Sequence, residues 1–232
     1  MNIMFKNKIT DIFFDLDHTL WDFEKNSAFT FQKIFKEQEI NLEIEDFLRV
    51  YVPANLKFWK LYREEKISKT ELRYQRLKSV FDTIGYDATD TIINTLAEEY
   101  INNLSSYNTL FPNTIEVLDY LQPKYKLHII TNGFQEIQEK KLRNSGIHKY
   151  FNQIIDSELA GVKKPNPIIF NLALNKAGAL PHSSLMIGDS LEADILGAKS
   201  VGFHTIHFNA HREEHHTIAP IIYDLQEIKS LL

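Results

Sequence analysis

The chain has 232 residues and no cysteine. That excludes a disulfide framework, thiol nucleophilic catalysis and any cysteine-ligated zinc site, and it is compatible with a reducing compartment. A basic excess is also missing. Lys and Arg number 26 against 31 Asp and Glu, a formal net charge of −5. Surfaces for nucleic acid polymers or anionic membranes carry an excess of positive charge, so neither is an expected partner. A small anionic substrate needs only a local positive pocket. No apolar run approaches the ~20 residues that span a bilayer. The N-terminal stretch MNIMFKNKITDIFFDLD is interrupted by Lys6, Lys8 and Asp11 and shows no small-residue cleavage pattern. The expectation is a soluble, cytoplasmic protein without repeats or low-complexity linkers.

What is there is an ordinary globular composition, 44% hydrophobic and 25% charged, with length enough for a sizeable core. Its texture changes along the chain. Ile9 to Phe14 reads as a short buried strand that runs into Asp15 and Asp17. From Phe23 to Tyr107 apolar residues recur at helical spacing, in NSAFTFQKIFKEQEI, VPANLKFWKLYREEK, SKTELRYQRLKSVFDTIG and DATDTIINTLAEEYINNL. Ser68 and Glu71 are spaced as a capping box, and Gly85 fits the end of that helix. From Leu110 onward strand patterns (KLHIITNG, FNQIIDS, SLMIGD, HTIHF) alternate with helix patterns, among them NPIIFNLALNKAG and EADILGAKSVG. Such alternation predicts an α/β, Rossmann-like parallel sheet with helices on both faces. The expected organisation is a core of residues 1–20 and 108–232, with an inserted all-helical cap at 21–107.

In open α/β sheets ligands bind beyond the carboxyl ends of the strands, so the residues delivered there matter. The first strand ends in Asp15-Leu16-Asp17-His18-Thr19 and the next in Thr131-Asn132-Gly133; after the third comes GVKKPNP, and the fourth leads to Asp189-Ser190 with Asp194 close behind. Each piece alone has an ordinary explanation as a turn, a solvated loop lysine or a helix cap. The set together points to phosphoryl chemistry. In an extended strand Asp15 and Asp17 would share a face about 7 Å apart. One carboxylate can attack phosphorus and a second can move protons to and from the leaving group and water. Carboxylates clustered this way need a cation; Mg²⁺ prefers oxygen ligands and bridges to phosphate. A lysine and a threonine hydroxyl would neutralise and hold the phosphoryl group.

DLDHT, TNG, KKP and GDSLEAD together resemble the four motifs of the haloacid dehalogenase-like hydrolase superfamily, matched in order over about residues 9 to 208. The helical block sits where that family's C1 cap sits. The resemblance implies Asp15 as nucleophile and Asp17 as general acid/base. It further implies Thr131 and the Asn132 backbone as phosphate ligands and Lys164 as the neutralising cation. Mg²⁺ would be held by Asp15, the Asp17 carbonyl and Asp189, with Asp194 in support. An aspartate at position 17 separates the chain from members that cleave carbon–halogen bonds. DLDHTLWDFEKNS, NLKFWKLYREEKIS and ELRYQRL look like the pyrimidine 5′-nucleotidase branch, which implies a nucleoside monophosphate as substrate. A sugar-phosphate phosphatase or phosphomutase is the alternative, and a non-catalytic nucleotide-binding protein a third reading. Trp21, Asn55, Trp59, Arg63 and Arg73 are candidates for reading the leaving group, although packing of the helical bundle is the plainer account of Trp59 and its neighbours. His18 directly follows Asp17 and, in an extended strand, would face away from both aspartates. HREEHH, His211 to His216, reads as an exposed loop without the H-E-x-x-H order of a zinc hydrolase.

Overall fold

The computed structural model of the chain describes residues 5 and 8–232. Residues 1–4, Lys6 and Asn7, part of the N-terminal stretch considered for targeting and of the segment expected to open the core, lie outside the described residues. Among the described residues no helix is long and apolar enough to cross a membrane. The chain divides into two compact units, one made of the residues up to Phe23 with Asn108–Leu232, the other of Glu24–Tyr107.

In the first unit β1 (Asp11–Phe14) begins the sheet. In the second, α1 (Phe23–Glu37, its first residue belonging to the other unit), α2 (Ile44–Arg63), α3 (Lys69–Ile84) and α4 (Asp90–Asn103) follow one another. The local signals for α3 operate as expected. Ser68 and Glu71 cap each other's backbone N–H groups, at 3.2 and 2.8 Å, and Gly85 closes the helix in the left-handed conformation with φ 75°. Phe31, Phe35, Phe47, Tyr51, Phe81 and Tyr100 form the buried centre of this unit.

The first unit resumes with α5 (Thr114–Leu121), β2 (Lys126–Thr131), α6 (Gln135–Asn144), β3 (Phe151–Asp156) and the short α7 (Ser157–Ala160). Then come α8 (Pro167–Ala177), β4 (Ser184–Gly188), a wide π-helical turn at Leu191–Leu196 and α9 (Gly197–Ser200). β5 (His204–Phe208), β6 (Ile221–Ile222) and α10 (Ile228–Leu231) complete it. The sheet is wholly parallel in the order β3-β2-β1-β4-β5-β6. On one face Phe13, Ile130, Ile155 and Met186 pack with Ile169, Phe170, Ala173 and Leu174 of α8. On the other, Ile12, Phe14, Leu127, Ile129, Leu185 and Ile187 are equally buried. Both faces are covered, as the near-continuous apolar strands demand. The expected α/β architecture is the observed one.

Two details differ from the sequence expectation. The sixth strand is only two residues long, too short to register as a pattern. The first strand ends at Phe14, so Asp15 and Asp17 do not share the face of one extended strand. Asp15 still donates its N–H to Ile187 O at 2.9 Å, but His18 is left-handed with φ 63°. A turn after the strand, rather than strand alternation, aims the two carboxylates.

Candidate active site

The strand order reverses between β1 and β4, since the chain runs outward through β2 and β3 and then returns to the other side of β1. A crevice forms at such a switch point beyond the strand ends. Asp15 follows β1 and Asp189 follows β4, so the two lie on either side of it.

Lys164 occupies the centre. It is 2% exposed, and its Nζ donates to Asp15 Oδ1 at 2.5 Å, Asp194 Oδ1 at 2.6 Å and Ile130 O at 2.7 Å. Those three acceptors use all three ammonium hydrogens. Burial pulls the lysine pKa down, but the carboxylates of Asp15 and Asp194 outweigh it and push the value above the usual lysine range. Asn132 fixes the lysine backbone: its amide donates to Lys164 O at 3.0 Å and its carbonyl accepts from Lys164 N at 2.7 Å.

The carboxylates outnumber this cation. One oxygen from each of Asp15, Asp189 and Asp194 can be chosen so that all lie within 4.8 Å of one another. Burial first, and then the Asp194 carboxylate against the opposing pull of Lys164, raises Asp15 from 3.8 to about 7. Asp189 is raised well above the normal range by burial and by its neighbours Asp194 and Asp15. Asp194 differs, because both its oxygens are engaged: Oδ1 accepts from Lys164, and Oδ2 accepts from Ser190 N–H at 3.0 Å. Gly188 permits this approach, since a Cβ there would come within 2.3 Å of Asp194 Oδ2. Asp15 and Asp189 therefore carry the unneutralised charge. Asp189 Oδ1 accepts a 3.2 Å bond from Thr19 Oγ1. An oxygen-only donor set with surplus negative charge, in which Asp15 and Asp194 are buried and Asp189 half-buried, fits a small hard dication.

Asp17 stands in a separate cluster. Lys141 Nζ donates to its Oδ1 at 2.6 Å and Gln138 Nε2 to its Oδ2 at 2.9 Å. Gln138 also donates to Thr131 Oγ1 at 2.6 Å, and Gly133 N–H does so at 3.1 Å. Both lone pairs of the Thr131 hydroxyl are taken, which frees its hydrogen for an incoming acceptor. Lys141 lies 4.2 Å over the Trp21 ring and 5.3 Å from that of Phe23, and burial lowers its pKa against the attraction of Asp17.

Gln138 and Lys141 were not singled out in the sequence. They lie three apart on α6, beside the buried Ile137 and Leu142. Two polar residues on the apolar stripe of a helix were the available signal.

His18 packs against Phe23 and His211, with centroids at 4.9 and 5.4 Å. Burial lowers its pKa to about 4. Trp21 belongs to this part of the site, under Lys141. Asn55 instead lies inside the helical unit, accepting from Arg76 Nη1 at 3.0 Å. Trp59 packs edge-on against Tyr62 at 5.7 Å, and Arg63 and Arg73 are half-buried on the same unit. The loop at 211–216 is exposed over most of its length, but His216 turns inward to His207.

With this geometry in place, comparison with known proteins is decisive for the family. The haloacid dehalogenase-like hydrolase family profile matches residues 11–202. The chain belongs to this family. It is 35% identical to pyrimidine 5′-nucleotidase YjjG of Escherichia coli over 95% of this chain and 96% of that protein. It is 34% identical to pyrimidine 5′-nucleotidase PynA of Streptococcus pneumoniae, over 95% and 92%. The crystal structure of YfnB from Bacillus subtilis bound to magnesium superposes with a TM-score of 0.86 at 29% identity, covering 96% of this chain and 97% of that one. This member of the family is a HAD-type hydrolase, related to nucleotidases, and it carries an acidic cluster able to hold a metal ion.

Proposed function

We propose that the chain is a cytoplasmic, Mg²⁺-dependent phosphomonoesterase that removes phosphate from pyrimidine nucleoside 5′-monophosphates through an aspartyl phosphate on Asp15. The observation that carries the reading is the buried carboxylate surplus around Lys164. The names of the two nucleotidase relatives, and the magnesium bound by YfnB, support the substrate and the metal.

The Asp15 and Asp189 carboxylates and the Asp17 main-chain carbonyl would hold Mg²⁺, which when bound offsets carboxylate and phosphate charge and so lets substrate approach. A carboxylate oxygen of Asp15 forms a bond to phosphorus as the bond from phosphorus to the leaving oxygen breaks. Asp17, protonated for this step, exchanges a contact to Lys141 or Gln138 for the leaving oxygen and gives it the proton. Lys164 neutralises charge on the transferring group, and the Thr131 hydroxyl and Asn132 N–H donate to its oxygens. Water then attacks phosphorus, Asp17 takes its proton, and the bond from phosphorus to Asp15 breaks to release inorganic phosphate. Asp194 keeps Lys164 in place. Residues 21–107 are taken as the cap domain in this reading.

Phosphate release by purified protein with Mg²⁺, across nucleoside monophosphates and sugar phosphates, tests this. Pyrimidine monophosphates leading the series, with no release by Asp15→Asn, is the expected result. Preference for sugar phosphates would overturn the substrate reading, and a folded, active Asp15→Asn would overturn the mechanism.

A further inference from the structure

We propose that His207 and His216 are positioning residues that hold the peptide after Asp189 and so aim its carboxylate at the candidate metal site. This rests on the functional reading above.

Three hydrogen bonds fix the arrangement. His207 Nε2 lies 2.6 Å from Asp189 O, His207 Nδ1 lies 2.8 Å from His216 Nε2, and Ile218 N–H meets His216 Nδ1 at 3.3 Å. A carbonyl oxygen only accepts, so His207 Nε2 carries hydrogen. In the neutral ring Nδ1 then accepts, and His216 Nε2 must donate to it. His216 in turn accepts at Nδ1, where a backbone N–H is waiting. Every donor meets an acceptor with both rings neutral and no other tautomer pair satisfies all three contacts. The rings also stack, 5.0 Å apart and within 16° of parallel.

The target of this chain is one planar unit. The peptide joining Asp189 to Ser190 accepts from His207 at its carbonyl and donates to Asp194 Oδ2 at its N–H. A peptide plane gripped at both polar atoms cannot rotate, and its orientation sets where the Asp189 side chain leaves the backbone. Asp189 lies at the end of β4, directly ahead of Ser190, which caps the turn that starts at residue 191. Outer partners of metal-binding carboxylates govern affinity by limiting such freedom. His207 is itself anchored on β5 and is buried. Asn209 closes the loop that brings His216 back, bonding Glu213 through both its amide atoms at 2.8 and 3.0 Å.

The test uses the full chain, with Mg²⁺ binding followed by calorimetry and the Mg²⁺ dependence of phosphate release measured in parallel. His207→Phe keeps the ring and removes the donor; Mg²⁺ affinity should fall about 10–100-fold, with kcat at saturating Mg²⁺ near wild type. His207→Gln, whose amide can still donate, should recover most of the loss. His216→Phe, which keeps the stacked ring, should give a smaller fall. A folded His207→Phe with wild-type Mg²⁺ affinity would overturn the proposal. Should that variant fail to fold, unchanged affinity in His216→Phe overturns it instead. If the wild type binds Mg²⁺ but releases no phosphate, the functional reading fails while the titrations still decide this one. If the wild type binds no Mg²⁺, both fall.

Discussion

Near the N-terminal end of the sheet, Asp11 is buried beside one histidine and one hydroxyl; at the C-terminal end, Asp15, Asp189 and Asp194 crowd around one ammonium. In the first arrangement both carboxylate oxygens are engaged. Asp11 Oδ1 meets His128 Nε2 at 3.0 Å and Oδ2 accepts from Thr10 at 2.7 Å. The His128 ring stacks on Phe13 at 4.6 Å. The second arrangement is open, with more buried carboxylate than its cation can neutralise. Burying a charge without a partner costs several kcal/mol, so a surplus kept at one end of a sheet suits the binding of positive charge and is no source of stability.

The two ends also respond to pH with opposite sign. Burial raises the Asp15 pKa to about 7 and that of Asp189 in the same direction. The folded, metal-free protein therefore holds protons that the unfolded chain has lost, and this contribution to stability is full below about pH 4 and disappears as pH rises through 7. His128 is the reverse. Burial lowers its pKa against the pull of Asp11, so the folded protein binds fewer protons, and its contribution is lost as pH falls below the ordinary histidine value of about 6.5.

The sharpest way to break this comparison is to remove one carboxylate from each end. Asp15→Asn should lower phosphate release by at least ~10³-fold while raising the thermal midpoint of the metal-free protein at pH 8. Asp11→Asn should lower the midpoint and leave kcat within about twofold. Similar activity losses at both ends would erase the distinction. A smaller effect follows from removing the shared cation. Lys164→Met should cost about 3–5 kcal/mol at pH 8 and less at pH 5.5, where the carboxyls take up protons; denaturant melts at the two pH values decide it. Next is the separate Asp17 cluster. Lys141→Met should lower kcat about 10–100-fold with Mg²⁺ affinity unchanged, a split that kinetics over a Mg²⁺ series would show. The smallest expected effect is in the midpoint shift produced by Mg²⁺. Metal competes with protons at Asp15 and Asp189, so the shift should be greater at pH 8 than at pH 5.5, by roughly 5 °C at about 100 times Kd. An equal shift at both would place the metal elsewhere.

The strand-end positions of Asp15, Thr131, Lys164 and Asp189 were legible because a parallel sheet delivers its chemistry at one rim, and short patterns mark where each strand stops. Caps at Ser68 and Gly85 were legible because they depend on residues three or four apart. The Asp17 partners were faintly marked, since only Ile137 and Leu142 outline the apolar stripe on which Gln138 and Lys141 fall. His216 was hidden: a polar loop gives no sign of which of its histidines turns inward.

The alternation of strands and helices, the helical insertion and the candidate groups at the strand ends are written in local sequence, because periodicity and capping act over a few residues. Which carboxylate is neutralised is not. Lys164 reaches Asp15 across 149 residues and Asp194 across 30. Charge pairing depends on distance through space and on exclusion of water, and only the folded sheet fixes both.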